Sequence, residues 1–237
     1  MSNIGTLYGI GVGPGDPELI TVKAFRLLQQ AAVIAYPKKR MGSKSYAHQI
    51  AELYVRQPDK EMLGLVFPMT RDEAVLAKEW SHAVEQVWTR LREGKDVAFV
   101  TEGDPLFYST FIHMMRMMKA VHPEVPIKTV PGVSSFLGAA SQLGLPLADG
   151  DEQIGIIPAT DDREAMRQAL LAHDCVVFLK VAKVLDLILE LLDELGLAEQ
   201  AHVACKVTSA EELLVSDVRR LKGADLGYLT LMVVKKR

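Results

Sequence analysis

The chain has 237 residues, 49% of them hydrophobic, enough to bury the core of one large domain or two small ones. Its formal charge of −3 at pH 7 excludes a dedicated nucleic-acid binder built on a broad basic face. No uncharged apolar run reaches the ~18 residues of a membrane span, and no basic stretch followed by an apolar one opens the sequence, so neither a membrane partner nor a secretory signal is expected.

Residues 6–12 form an apolar, β-rich run that breaks at Gly11-Val-Gly-Pro-Gly15, the pattern of a buried parallel strand ending in a tight loop. Asp16 is placed to cap the next helix, with Pro17 at its first position and Leu19, Val22, Phe25 and Leu28 as its apolar face. Residues 32–36 predict a second strand stopped by Pro37, residues 44–56 a helix, and residues 63–67 a third strand. The longest helical pattern runs over 72–93, with Val75, Trp80, Val84, Val87 and Leu91 as its buried stripe and Gly94 closing it. A fourth strand at 96–101 feeds Gly103-Asp-Pro105, followed by a helix at 108–119. Residues 127–130 make a fifth strand, broken by Pro131-Gly132 before a small-residue helix at 133–143.

Residues 144–150 read as a linker. Beyond it the pattern predicts strands at 153–158, 175–180, 201–207, 212–216 and 228–235, with helices at 162–173 and 182–195. The short gap between 207 and 212 predicts an antiparallel hairpin, hence a mixed sheet. Cys175 and Cys205 fall in separate apolar runs and read as buried thiols of a reducing cytoplasm. The expected architecture is two α/β domains. Residues 1–147 hold a mostly parallel five-stranded sheet, residues 148–237 hold the mixed sheet, and a cleft separates them.

Three strand-end loops carry the chemistry. The glycine loop fails as a dinucleotide fingerprint, because position 16 is Asp and would repel a pyrophosphate at a helix N-terminus. It reads either as a plain turn or as a cleft-lining loop whose glycines permit close approach. In residues 101–110, Gly103 exposes backbone groups, Asp104 caps the following helix or binds an amino or hydroxyl group, and Ser109 and Thr110 add donors. Ser134 after Pro131-Gly132 is a helix cap or a ligand donor. If strands one, four and five are parallel, these loops converge on one rim.

Lys38, Lys39, Arg40 and Lys44, with Arg71, form either a solvated surface or a rim for carboxylates of a polyanionic substrate. His113 follows the Gly-Asp-Pro loop by one helical turn, in reach of a bound ligand, and Met114, Met115, Met117 and Met118 read as adaptable packing. The six histidines lack metal-ligand spacing, and no metal site in the protein is expected.

Taken together, residues 11–17, 32–36, 101–110, 131–135, 144–146 and 228–234 resemble the tetrapyrrole (class III) S-adenosylmethionine-dependent methyltransferases, in order and spacing over nearly the whole chain. Within that family the chain most resembles the C20-methylating branch of cobalamin (vitamin B12) biosynthesis. That likeness rests on Tyr36-Pro37, Phe67-Pro-Met-Thr-Arg-Asp72, residues 103–110 and residues 131–136. It departs from the uroporphyrinogen-methylating branch where Pro37 replaces an Asp, so that acid/base role is not carried over.

The resemblance implies a homodimer with S-adenosylmethionine folded between the domains and a tetrapyrrole in a trough. Its cofactor contacts fall on Pro14, Gly103, Asp104, Phe107, Ser134 and Ser135, and on Leu179, Ala204 and Thr230. The substrate contacts expected beside them are Gly13, Lys38, Lys39, Arg71 and His113, while Tyr108 and Tyr36 are the candidates for orienting the ring or assisting proton loss. The implied reaction methylates C20 of cobalt-factor II or of metal-free precorrin-2, any cobalt arriving inside the substrate. Another class III methyltransferase, acting on a different corrin position, on diphthamide or on ribosomal RNA, is the alternative enzyme. A non-enzymatic tetrapyrrole carrier is the alternative outside catalysis.

Overall fold

The computed structural model describes residues 4–40, 42, 43, 45–55, 60–68, 70 and 72–236. The chain divides into two compact units, Met1–Ser134 and Ser135–Arg237. The division falls ahead of the segment 144–150.

In the first unit, β1 (Leu7–Gly11), β2 (Val33–Lys38), β3 (Glu61–Val66), β4 (Val97–Thr101) and β5 (Ile127–Val130) form one sheet in the order β3-β2-β4-β1-β5. Every pairing is parallel. The central strands are apolar at successive positions because both faces are covered. On one face α1 (Val22–Gln30) and α2 (Tyr46–Glu52) pack Leu28 and Ile50 onto Ile10, Ile34, Ala98 and Val100. On the other, α3 (Glu73–Leu91) and α4 (Thr110–Val121) pack Val84, Val87, Phe111 and Met114 onto Leu7, Val33 and Phe99. Burying each of these large side chains stabilises the fold by about 1.5–3 kcal/mol.

The helices open on side-chain caps: Thr21, Ser45, Asp72 and Ser109 each accept from an amide of the first turn. This corrects two expectations. Asp16 caps only a single 3-10 turn, Pro17–Leu19, and α1 begins after Thr21. The later start turns Val22 (75% exposed) and Phe25 (39%) away from the core, leaving Ala24 and Leu28 as its buried residues. Likewise Ser109, and neither Asp104 nor Pro105, begins α4.

Pro37 does not end β2. The strand runs on to Lys38, paired with β3 throughout but with β4 only through Ala35. Pro37 therefore lies where the β4 side has no partner, and its missing N–H breaks no ladder bond. Val75, expected in the buried stripe of α3, is exposed, while Val84, Val87 and Leu91 are buried as expected.

The second unit holds α5 (Ser135–Leu143), β6 (Ile154–Pro158), α6 (Arg163–Ala172), β7 (Cys175–Leu179), α7 (Leu185–Glu194), β8 (Ala201–Cys205), β9 (Leu213–Val215) and β10 (Thr230–Lys235). Its sheet runs β6-β7-β10-β8-β9, with β6 and β7 parallel and the other pairs antiparallel, including the β8–β9 hairpin. It is mixed, as the spacing predicted. Leu170 of α6 and Ile188 and Leu192 of α7 pack on Phe178, Val203 and Met232. Lys235, buried at the end of β10, is neutralised by Glu152 at 2.5 Å. Cys175 and Cys205 are buried free thiols.

Candidate functional site

The connections leaving β1 and β2 lead to helices on one face of the first sheet, and the connection leaving β4 leads to α4 on the other. β4 lies between β2 and β1. Its carboxyl end is therefore flanked on both sides by chains that diverge from it, the arrangement that opens a ligand crevice in a parallel sheet.

Three loops meet there, backbone on backbone. The Val12 amide donates to the Thr101 carbonyl at 3.0 Å and the Gly103 amide to the Gly13 carbonyl at 2.8 Å. A Cβ on Gly11 would sit 2.3 Å from the Gly103 carbonyl oxygen, and one on Gly132 would sit 2.1 Å from the same atom. Only residues without side chains permit this approach. The expected convergence of the loops after β1, β4 and β5 is thus made by three glycines.

Asp104 fastens the assembly. One carboxylate oxygen accepts from the Leu106 amide at 2.8 Å, and the other accepts from the Gly132 amide at 3.2 Å. It caps a turn in its own loop and ties that loop to the one after β5. Gly103 itself is left-handed (φ 60°) and open, with the nearest atoms, Ser134 Cα and the Val133 carbonyl oxygen, 3.8 Å from where a Cβ would stand. Below it, the buried Ser109 hydroxyl bonds Thr101 Oγ1 at 2.9 Å while accepting from the Phe111 amide.

Of the other expected residues in this unit, Gly13 and Pro14 lie buried in the loop after β1. Phe107 is partly buried, and Tyr108 is exposed with a left-handed backbone (φ 49°), their rings edge-on at 4.8 Å. Tyr36 is only 7% exposed, its ring 4.2 Å from that of His48. Lys38 lies along the sheet, its ammonium 5.1 Å from the Tyr36 ring centre, in space left by Gly64. His113 lies edge-on to Trp80 at 4.6 Å, between α4 and α3, and burial followed by the Arg116 charge holds its imidazole below the usual range. Arg71 and Lys44 lie outside the described residues. Among the described residues no three His, Cys, Asp or Glu side chains cluster to hold a metal ion.

One residue at this edge escaped the reading of the sequence. Glu102, the first residue past β4, is partly buried, and its carboxylate accepts no hydrogen bond from any described side chain or amide. Burial pushes its carboxyl up to about 7, against the opposing charge of Lys39. The available signal was an acid wedged between an apolar strand and a Gly-Asp-Pro turn.

In the second unit, Leu179, Ala204 and Thr230 come together at one sheet edge. Leu231 is flanked by Leu179 and Ala204, and Thr230 pairs with Cys205. Strand alternation divides them, since Phe178, Cys205 and Met232 face the helices and Leu179, Ala204 and Leu231 point the other way. The Thr230 hydroxyl turns with Cys205, donating to the Gly227 carbonyl at 2.6 Å and towards Cys205 Sγ at 3.4 Å. Only its main chain is offered to the opposite face.

The same edge carries Lys180 (φ 60°), Lys206 (φ 44°) and Thr208 (φ 64°). With Tyr108 they are the non-glycine residues of positive φ among the described residues. Each costs about 1–2 kcal/mol, and such strain concentrates at functional positions.

Residues 6–221 match the profile of the Tetrapyrrole (Corrin/Porphyrin) Methylases. The cobalt-precorrin-2 C(20)-methyltransferase of Salmonella typhimurium is 33% identical over 234 residues, covering 98% of this chain and 97% of that protein. The cobalamin biosynthesis protein CobIJ of Mycobacterium tuberculosis is 35% identical over 219 residues, 89% of this chain, and the chain spans 42% of that protein's length. Among solved structures, the cobalt precorrin-4 methyltransferase CbiF superposes with a TM-score of 0.74 at 26% identity, covering 97% of this chain and 94% of the other. The uroporphyrin-III C-methyltransferase of Thermus thermophilus, complexed with S-adenosylhomocysteine, shares the fold at 22% identity and a TM-score of 0.68, over 98% of each chain. With a match that spans nearly its whole length, the chain belongs to the tetrapyrrole methylase family.

Proposed function

We propose that the chain transfers a methyl group from S-adenosylmethionine to C20 of cobalt-factor II, or of metal-free precorrin-2, in cobalamin biosynthesis. The observation that carries this is the end-to-end similarity to a C20-methylating enzyme, at 33% identity over 98% of the chain. The likeness to a cobalt precorrin-4 methyltransferase keeps methylation at another corrin position as the second reading.

The residues suit the donor. The open backbone at Gly103 lets a ligand approach more closely than any side chain would. Pro14, Gly103, Phe107 and Ser134 would hold it from the first unit, while Asp104, already engaged by two amides, keeps their loops together. Ser135, Leu179, Ala204 and Thr230 are the remaining contacts implied by the resemblance. When bound, S-adenosylmethionine supplies an electrophilic methyl on a sulfonium.

The chain's own task is positioning. A tetrapyrrole meso carbon is already electron-rich, so the residues need to hold it about 3–3.5 Å from the methyl and exclude water. Lys38 and Lys39 attract the carboxylates of the macrocycle. Tyr108, exposed in the loop after β4, orients the ring. Tyr36, buried against His48, braces Lys38. The reading includes a homodimer in the cytoplasm, checked by sedimentation at twice the monomer mass.

The decisive experiment incubates the protein with ¹³C-methyl-labelled S-adenosylmethionine and each of the two substrates, and locates the new methyl by NMR. A methyl on C20 is expected. A methyl on any other carbon overturns the assignment, and the preferred substrate decides the question of cobalt.

A further inference from the structure

Methylating a ring carbon that bears hydrogen leaves a proton to be removed, and of the two tyrosines considered for that step Tyr36 is buried against His48 and Tyr108 is given the orienting of the ring. We infer that Glu102 accepts the proton shed by the methylated carbon of the macrocycle, an assignment that rests on the tetrapyrrole methyltransferase reading.

Three observations converge on Glu102. It is the first residue beyond β4, the strand whose neighbours on both sides lead away to the opposite face. Its partly buried carboxylate accepts no hydrogen bond from the described residues. Asp104, two residues on, is engaged by two amides and cannot serve in its place. The other titratable and charged groups at this edge are Tyr36 and Lys38 within β2, Lys39 and Arg40 past it, His48 on α2 and Tyr108 in Glu102's own loop. Of these, Lys39 supplies the charge that acts on Glu102, and it favours the ionised form, while burial opposes it and prevails. A carboxyl held at about 7 both accepts and releases a proton near neutrality, the condition for an efficient general base.

The step balances. Once the methyl is attached and S-adenosylhomocysteine has kept the sulfur electron pair, the C–H bond of that carbon breaks. Its electron pair returns to the π system of the macrocycle. The proton forms an O–H bond on Glu102, to be lost later to water. One methyl enters and one proton leaves.

The test combines a titration independent of turnover with kinetics. In protein carrying ¹³C-labelled glutamate, one side-chain carboxyl resonance is expected to titrate at about pH 7. It should vanish in Glu102→Gln and move to higher pH in Lys39→Met. Glu102→Gln should bind S-adenosylhomocysteine within about twofold of wild type by calorimetry, lose about 10²–10⁴-fold in kcat, and lose the acid limb of the pH profile. Glu102→Asp should retain that limb at a reduced rate, and it decides the matter if the Gln variant folds poorly.

Stability gives a second readout. A carboxyl raised on folding stabilises below its unfolded value and loses that contribution as pH rises through about 7. Glu102→Gln should flatten the fall in stability over that window. The inference is overturned if kcat of the Gln variant stays within about twofold of wild type. It is equally overturned if KM rises with kcat unchanged, or if no glutamate titrates above about pH 6. Wild-type protein that methylates no tetrapyrrole would instead overturn the functional reading, whatever the titration shows.

Discussion

In the first unit the ends of β1, β4 and β5 are drawn together by missing side chains, with Gly11, Gly103 and Gly132 in backbone contact. In the second unit the ends of β7 and β8 carry full-sized residues, Lys180, Lys206 and Thr208, in the left-handed conformation that glycine would adopt freely. The first solution leaves no steric slack at Gly11 and Gly132, and its glycines carry no backbone strain. The second stores strain in the backbone. Substitutions of equal size should therefore have opposite consequences in the two units.

The largest effect is expected at Gly132. A methyl group there would stand 2.1 Å from the Gly103 carbonyl oxygen and 2.8 Å from Gly11 backbone atoms, so main chain must move. Gly132→Ala should cost about 3 kcal/mol in denaturant unfolding and weaken S-adenosylhomocysteine binding by at least about tenfold, 1.4 kcal/mol. Gly103→Ala is the control. Its Cβ has room, and only the left-handed φ of 60° opposes it, at about 1 kcal/mol. Equal losses at the two positions would show that packing of the three loops is not what holds this edge.

Asp104→Ala comes next. It leaves the amides of Leu106 and Gly132 without their carboxylate and should cost about 2 kcal/mol. S-adenosylhomocysteine affinity should fall with it, because the loops after β4 and β5 lose their tie. Asp104→Asn should recover part of the loss, since its amide oxygen can still accept one of the two bonds. Unchanged affinity in the Ala variant would remove this edge from the donor site.

Much of this arrangement was legible in the sequence, for identifiable reasons. Parallel strands covered on both faces read as unbroken apolar runs, so β1, β4 and β5 and their Gly/Pro-terminated ends stood out. The β8–β9 hairpin followed from a short gap. What misled was local chemistry that tertiary context redirects. Asp16-Pro17 is a sound helix opening that here starts one 3-10 turn, because Thr21 supplies the cap of α1. Pro37 looked like a strand terminus because nothing local tells that β4 has already parted from β2 beyond Ala35. Glu102 was passed over because burial, which sets its chemistry, belongs to the fold and not to the residue.

The second unit should respond with a gain. Thr208 is β-branched and held at φ 64°, where its side chain crowds its own backbone. Thr208→Gly keeps the amide bond to Glu212 and should raise stability by about 1 kcal/mol, read as a higher unfolding midpoint in urea. If the variant is more stable and also binds S-adenosylhomocysteine more weakly, the strained backbone serves binding. If stability falls, side-chain packing outweighs conformation at that edge, and the contrast between the units disappears.

The smallest effect, silent at neutral pH, concerns Cys175. Burial pushes its thiol up to about 11, with Lys235 pulling it down less strongly and Glu152 opposing Lys235. The thiolate is the reactive form, so Cys175 should ignore a disulfide reagent at pH 8 in the folded protein and react at the rate of unfolding. Linkage fixes the sign of its contribution to stability. A thiol raised on folding stabilises fully below its unfolded value near 9, and that contribution is lost as pH climbs through about 11. Between those values wild type should lose more stability than Cys175→Ala, although the alanine begins lower because it leaves a small cavity in β7. Parallel curves for the two proteins would mean that water reaches the thiol, and that the face of the second sheet bearing Leu179 and Ala204 is less tightly closed than its burial indicates.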